Sequence, residues 1–156
     1  MRILAIRGEN LASLEGAFEI DLARGPLAQA GVFAICGATG AGKSTLLDAM
    51  CLALFDTAPR LDGRGRSRVG REDGDQLTLT DPRSLLRKGA GAGFAEVEFE
   101  GVDGRVYRAR WEARRARRKA DGNLQPSSMS LVDVAAESRL GDKKTEVKQE
   151  VERALA

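Results

Sequence analysis

The sequence predicts an α/β domain, and three adjoining features carry that expectation. Residues 31–36 (Gly-Val-Phe-Ala-Ile-Cys) form a short, nearly continuous apolar run, the pattern of a strand buried on both faces. A glycine-rich segment, Gly37 to Ser44, follows at once. Behind it Leu46, Leu47, Met50, Cys51, Leu54 and Phe55 recur at helical spacing, which predicts an amphipathic helix over 43–55.

The remaining elements follow from periodicity. Residues 2–7 read as a strand and 17–22 as its partner, with Phe18, Ile20 and Leu22 on one face and Glu19 and Asp21 on the other. The polar stretch Gly8 to Gly16 joins them as a hairpin. Residues 59–93 change character to Gly, Arg, Asp and Ser and read as a long loop, with a short helix anchored by Leu85 and Leu86. Antiparallel strands are expected over 94–135. Val97 and Phe99 alternate with Glu96, Glu98 and Glu100, and Val102-Asp103-Gly104 is a turn signal. Tyr107, Ala109 and Trp111 then oppose Arg108, Arg110 and Glu112, and a third strand lies near 128–135. Val147, Val151 and Leu155 mark an amphipathic helix within 142–156.

Composition bounds the function. A chain of 156 residues with 42% hydrophobic residues can bury a core, and wholesale disorder is excluded. The net charge of +2 gives no whole-chain argument for nucleic acid. No run approaches the ~18 apolar residues of a membrane span, and Met1 to Arg7 lacks a signal-peptide pattern, so a cytosolic location is expected. The absence of histidine excludes imidazole acid–base chemistry. Cys36 and Cys51 sit among apolar residues and are expected as buried, reduced thiols.

Gly37-Ala38-Thr39-Gly40-Ala41-Gly42-Lys43-Ser44 matches the phosphate-binding pattern G-x-x-x-x-G-K-[ST] at every position, between the strand and helix that the pattern requires. Glycines let the backbone wrap phosphates with its N–H groups inward, and the helix N-terminus adds a favourable field. Lys43 is expected to reach the β- and γ-phosphates of ATP, Ser44 to ligate Mg²⁺, and Thr45 to touch the α-phosphate. Catalytic residues are not recognisable. Hydrolysis needs a further acid and a group that orients water, and the nearest candidate, Leu131-Val132-Asp133-Val134, has too short an apolar run. Asp133 is therefore read as an exposed strand residue.

Arg114, Arg115, Arg117, Arg118 and Lys119 form a basic cluster after the second alternating strand and are candidates for DNA phosphate contacts. Arg64, Arg66, Arg68 and Arg71 are a weaker second group. Tyr107 and Trp111 share a face, which favours the core over base stacking.

Taken together, several stretches resemble the SbcC exonuclease-subunit family of bacterial DNA-repair ATPases. They are Met1 to Leu14, Gly37 to Phe55, Thr57 to Leu61, Phe94 to Glu100, Arg108 to Trp111 and Asp121 to Gln125. The resemblance covers nearly the whole chain. It implies the N-terminal lobe of an ABC-type ATPase head, 1–156, whose second half lies beyond a coiled coil and carries the signature motif and catalytic glutamate. It also implies an ATP-sandwich dimer with a second copy of the head, an SbcD-type metal-dependent nuclease partner, double-stranded DNA as substrate, and a place at the nucleoid. By the same resemblance Asn10 and Ser13 approach the nucleotide beside the loop, and Thr57 to Leu61, including Arg60, lie near base or ribose. Some relatives carry arginine where this chain has Ala12. A chromosome-organising or transporter-type ATPase without a nuclease is the competing reading.

Overall fold

A computed structural model describes residues 1–30, 32–61, 68–69, 77–78 and 80–156. Two long strands open the chain, β1 (Arg2–Leu11) and β2 (Leu14–Asp21), and α1 (Lys43–Phe55) follows the glycine-rich segment. Two two-residue strands, β3 (Arg68–Val69) and β4 (Leu77–Thr78), pair with each other. The second half supplies β5 (Ala92–Glu100), β6 (Val106–Arg114), β7 (Ser128–Asp133), β8 (Ser138–Leu140) and α2 (Lys144–Leu155). The main sheet has the order β2-β1-β5-β6-β7-β8 and every neighbouring pair is antiparallel.

Alternation divides the sheet into two chemically distinct faces. Val97 lies opposite Ala109, Phe99 opposite Tyr107 and Ala95 opposite Trp111, and this face is buried under α1 and α2. Phe99, Trp111 and Leu131 are fully buried there, joined by Leu52 of α1 and by Val147 and Val151 of α2. On the outer face Arg7 reaches Glu19 at 2.7 Å and Glu98 at 3.3 Å, Arg108 reaches Glu98 at 2.9 Å, and Arg110 reaches Glu96 at 3.1 Å. Arg110 also lies over the Phe94 ring, 3.6 Å from its centroid. Arg108 and Arg110 are thus neutralised within the sheet.

The first hairpin is longer than the periodicity indicates. The β1–β2 ladder continues to Leu11 opposite Leu14, so only Ala12 and Ser13 separate the strands. Gly8 permits this: a Cβ there would stand 2.5 Å from the Phe18 ring. Asn10 and Ala12 adopt left-handed φ values of 52° and 46° where the register shifts.

Four expectations are corrected. Residues 32–38 form no strand; Val32 is 92% exposed, and Phe33, Ile35 and Cys36 are exposed too (Gly31 lies outside the described residues). An extended apolar run becomes a strand only against a neighbour that takes its N–H and C=O groups, and no described strand does so. The Cys36 thiol is consequently exposed. The helix 43–55 forms, but it is apolar on both sides rather than amphipathic, leaving Leu47 and Phe55 exposed. Asp133 is only 4% exposed: its carboxylate accepts the Ala135 and Ala136 N–H groups at 3.1 Å and turns the chain into β8, a strand too short for periodicity to detect.

Candidate functional site

The glycine-rich segment lies where the first hairpin meets the start of α1. Gly42 is the residue before the helix, at φ 91°, and Gly40 is at φ 83°. Both values belong to the left-handed region that side chains disfavour, which explains glycine at these two positions. The Ala41 N–H closes a turn on the Ala38 carbonyl at 3.2 Å. Lys43 folds back and donates from Nζ to the carbonyls of Gly37 and Ala38, both at 2.7 Å. Gly37 to Ala41 and Ser44 are exposed, whereas Gly42 and Thr45 are buried. The first bond of α1 runs from the Leu46 N–H to the Gly42 carbonyl at 3.2 Å, so the N–H groups ahead of it are the orphan donors of a helix start, which is electropositive.

The hairpin tip packs on this helix start. Ser13 Oγ lies 3.2 Å from Thr45 Oγ1. Leu14 covers Gly42 so closely that a Cβ on that glycine would stand 2.5 Å from Leu14 Cδ2. Asn10 ties the hairpin to itself and to β5: its Oδ1 accepts the Gly16 N–H at 3.0 Å and its amide donates to Ala92 O at 3.1 Å. Periodicity gave no sign of Arg87. It donates from Nη1 to Ser13 O at 3.1 Å and pairs through Nη2 with Glu15 at 2.9 Å. Only the bend of the chain at 82–86 brings it to the tip.

Thr57 and Arg60 sit elsewhere. Thr57 is exposed just past the C-terminus of α1, roughly 20 Å from Lys43 by helical rise. The Arg60 guanidinium turns back along the helix and pairs with the buried carboxylate of Asp48. The helix end is tied down by Asp56, at φ 56°. Its carboxylate accepts the Trp111 indole N–H at 2.8 Å and faces Lys144 Nζ at 2.6 Å. A fully buried Trp111 bonded in this way cannot stack on bases.

The basic cluster occupies the turn after β6. Arg114, Arg117, Arg118 and Lys119 are exposed, while Arg115 holds the turn by donating to Gly122 O at 3.0 Å. Arg118 reaches Glu112 at 3.4 Å. Arg114, Arg115, Arg117, Arg118 and Gln125 line a surface depression of about 200 Å³. Arg64, Arg66 and Arg71 lie outside the described residues, as does the Arg68 side chain.

The residues at the start of α1 fit a polyphosphate carrying Mg²⁺: an ammonium held only by two loop carbonyls, the N-terminal N–H groups of a helix, an exposed Ser44 hydroxyl, and a Gly40 around which a Cβ would meet nothing within 4 Å. Among the described residues there is no cluster of three acidic or thiol side chains able to hold a metal alone. Nor is any described helix long and apolar enough to cross a membrane.

The chain matches the family model of the AAA domain over residues 5–154. It is 53% identical to the SbcC component of the SbcCD nuclease of Pseudomonas aeruginosa over 156 residues, 99% of this chain and 13% of that protein. It is 55% identical to the SbcC component of the SbcCD nuclease of Rhodobacter capsulatus over 132 residues, 84% of this chain and 11% of that protein. The likeness to SbcC drawn from the sequence is borne out, and the chain spans about an eighth of the length of these relatives.

Proposed function

The chain belongs to the AAA domain family, and from that premise we propose that it is the ATP-binding part of an SbcC-type ATPase that works with a metal-dependent nuclease on double-stranded DNA. The observation that carries this reading is the complete phosphate-loop sequence seated at the N-terminus of α1, in a chain more than half identical to proteins named for a nuclease. Those names favour this reading over a chromosome-organising or transporter-type ATPase.

In this reading the loop N–H groups and the helix start take up the phosphates. Lys43 leaves the Gly37 and Ala38 carbonyls for the β- and γ-phosphates, exchanging two neutral acceptors for anionic ones. Ser44 would hold Mg²⁺ through its exposed hydroxyl, and the ion would supply positive charge that offsets the phosphates. Thr45, held by Ser13, lies beside the α-phosphate, and Asn10 shapes the tip that carries Ser13.

Turnover belongs to the whole protein. The apolar segment 32–36, with Leu47 and Phe55, offers a surface for strands from the C-terminal half of the same head. That half would bring the acidic groups, and a second copy of the head would close the ATP site. Residues 1–156 are then the N-terminal half-head. The loop 59–93 and the strands within 94–135 belong to its body, and the helix within 142–156 leads toward the coiled coil. The exposed Arg114, Arg117, Arg118 and Lys119 would supply phosphate contacts to DNA, which supports a location at the nucleoid in the cytoplasm.

The test is to purify the full-length protein by affinity and identify what accompanies it. A metal-dependent nuclease in fixed ratio, with ATP-stimulated cleavage of DNA ends, is the expected result. A ring-closing partner and no nuclease would favour the chromosome-organising alternative.

A further inference from the structure

Arg87 stands outside the phosphate loop and no motif marks it, yet it meets the hairpin tip at three points. Its Nη1 donates to Ser13 O at 3.1 Å and to Ala12 O at 3.4 Å, and its Nη2 pairs with Glu15 at 2.9 Å. The backbone adds to this brace: Arg87 N–H donates to Asn10 O at 2.9 Å, and Ala12 N–H donates to Leu85 O at 2.8 Å. Leu11 and Leu86 form a bridge between the same segments, and both are buried.

The braced object is unusual. Within three residues the tip holds two non-glycine positions at left-handed φ, Asn10 and Ala12. Such conformations are sparsely populated by side-chain-bearing residues and persist only when their surroundings over-determine them. The far side of the tip is the part that touches the start of α1, through Ser13 on Thr45 and Leu14 on Gly42. A chain of direct contacts therefore runs from the Arg87 guanidinium through the Ser13 carbonyl and hydroxyl to the second residue after Lys43.

We propose that Arg87 is a positioning residue for the nucleotide site, holding Ala12 and Ser13 so that the hairpin tip is pre-set against the start of α1 before nucleotide arrives. This rests on the ATP-binding reading above. Arginine suits the task because its planar fork bridges two carbonyls and a carboxylate at once, a geometry that a single ammonium cannot reproduce. A pre-set tip removes the ordering cost from the binding step, so its loss weakens affinity without removing any group that touches phosphate.

The test titrates the full-length protein with Mg²⁺ and a fluorescent N-methylanthraniloyl ATP, comparing wild type with Arg87→Ala, Arg87→Lys, Ser13→Ala, the Arg87→Ala/Ser13→Ala double variant and Lys43→Ala. Arg87→Ala is expected to weaken affinity about tenfold, the scale of losing charge-assisted hydrogen bonds, and Arg87→Lys about threefold. The double variant should be no weaker than Arg87→Ala alone, because both changes act through one element. A purely structural arginine would instead lower the melting temperature without nucleotide and give multiplicative losses with Ser13→Ala, which overturns the proposal. Wild-type affinity in Arg87→Lys and Arg87→Ala does the same. If Arg87→Ala fails to fold, Arg87→Lys decides: threefold weaker binding at an unchanged melting temperature supports positioning, and unchanged binding refutes it. Lys43→Ala separates the two readings. Full affinity there removes the ATP-binding premise, whereas lost affinity there with intact Arg87→Ala binding removes only the role of Arg87.

Discussion

Replacing Asp56 by alanine should be among the most damaging single changes at the junction of α1, β6 and α2. Asp56 is mostly shielded, with 11% of its side chain exposed, and its carboxylate accepts the indole N–H of a fully buried Trp111 at 2.8 Å. Alanine leaves that donor buried without a partner, at a cost of about 1–3 kcal/mol. Asp56 also adopts φ 56°, where aspartate is tolerated better than alanine, adding about 1 kcal/mol. The contacts from Lys144 at 2.6 Å and Lys148 at 3.5 Å are about one-third exposed and so contribute only about 0.5 kcal/mol each. The total is roughly 3–5 kcal/mol. Asp56→Asn keeps an oxygen for Trp111 and tolerates the left-handed backbone, so it should cost about 1 kcal/mol. Trp111→Phe in the Asp56→Ala background should show favourable coupling of about 1 kcal/mol, because phenylalanine has no donor to leave unpaired. Hydrogen exchange of the α1 and β6 amides in the full-length protein reads these local stabilities. Equal losses for alanine and asparagine, or a loss below about 0.5 kcal/mol for alanine, would refute the assignment of the energy to the Trp111 bond.

Two further perturbations follow from the same geometry. Burial alone would raise the Asp81 carboxyl, but hydrogen bonds from the Arg83 side chain and backbone N–H outweigh it and hold the group below its ordinary value. A depressed folded-state value contributes stability above the ordinary carboxylate range, and that stability disappears as pH falls through the folded value. Protection factors of the amides at 83–86 should therefore fall below about pH 4, and Asp81→Asn should remove that acid dependence. Arg114→Glu with Arg117→Glu should weaken duplex DNA binding and flatten its salt slope by about two ions, whereas Arg115→Ala should loosen the turn through Gly122 O. An unchanged salt slope in the double charge reversal would detach this turn from DNA.

The sequence made legible whatever has a local cause. The bounds of α1 follow from apolar spacing and from glycines that must sit at positive φ, and the two faces of β5 and β6 follow from strict alternation. Non-local features were hidden. The run 32–36 has the composition of a buried strand, but burial needs neighbours, and composition cannot say whether the described strands provide them. Asp133 occupies an inward-facing position that alternation alone assigns to an apolar residue, and its use of two downstream N–H groups is visible only once the turn exists. Arg60 and Arg87 show the same limit within the candidate site. Each is one basic residue among 25 Lys and Arg, and only the path of the chain reveals that one meets Asp48 and the other the Ser13 carbonyl.

The central claim is that the loop from Gly37 to Ser44 binds the phosphates of ATP through Lys43. The most direct measurement is calorimetric titration of Mg²⁺-ATP into the full-length protein and its Lys43→Ala variant at matched ionic strength. The account predicts a single class of site in the wild type and at least a hundredfold weaker binding in the variant, on the scale of losing about 3 kcal/mol of charge-assisted contacts, with the unfolding transition unchanged. Equal affinity in the two proteins would contradict it.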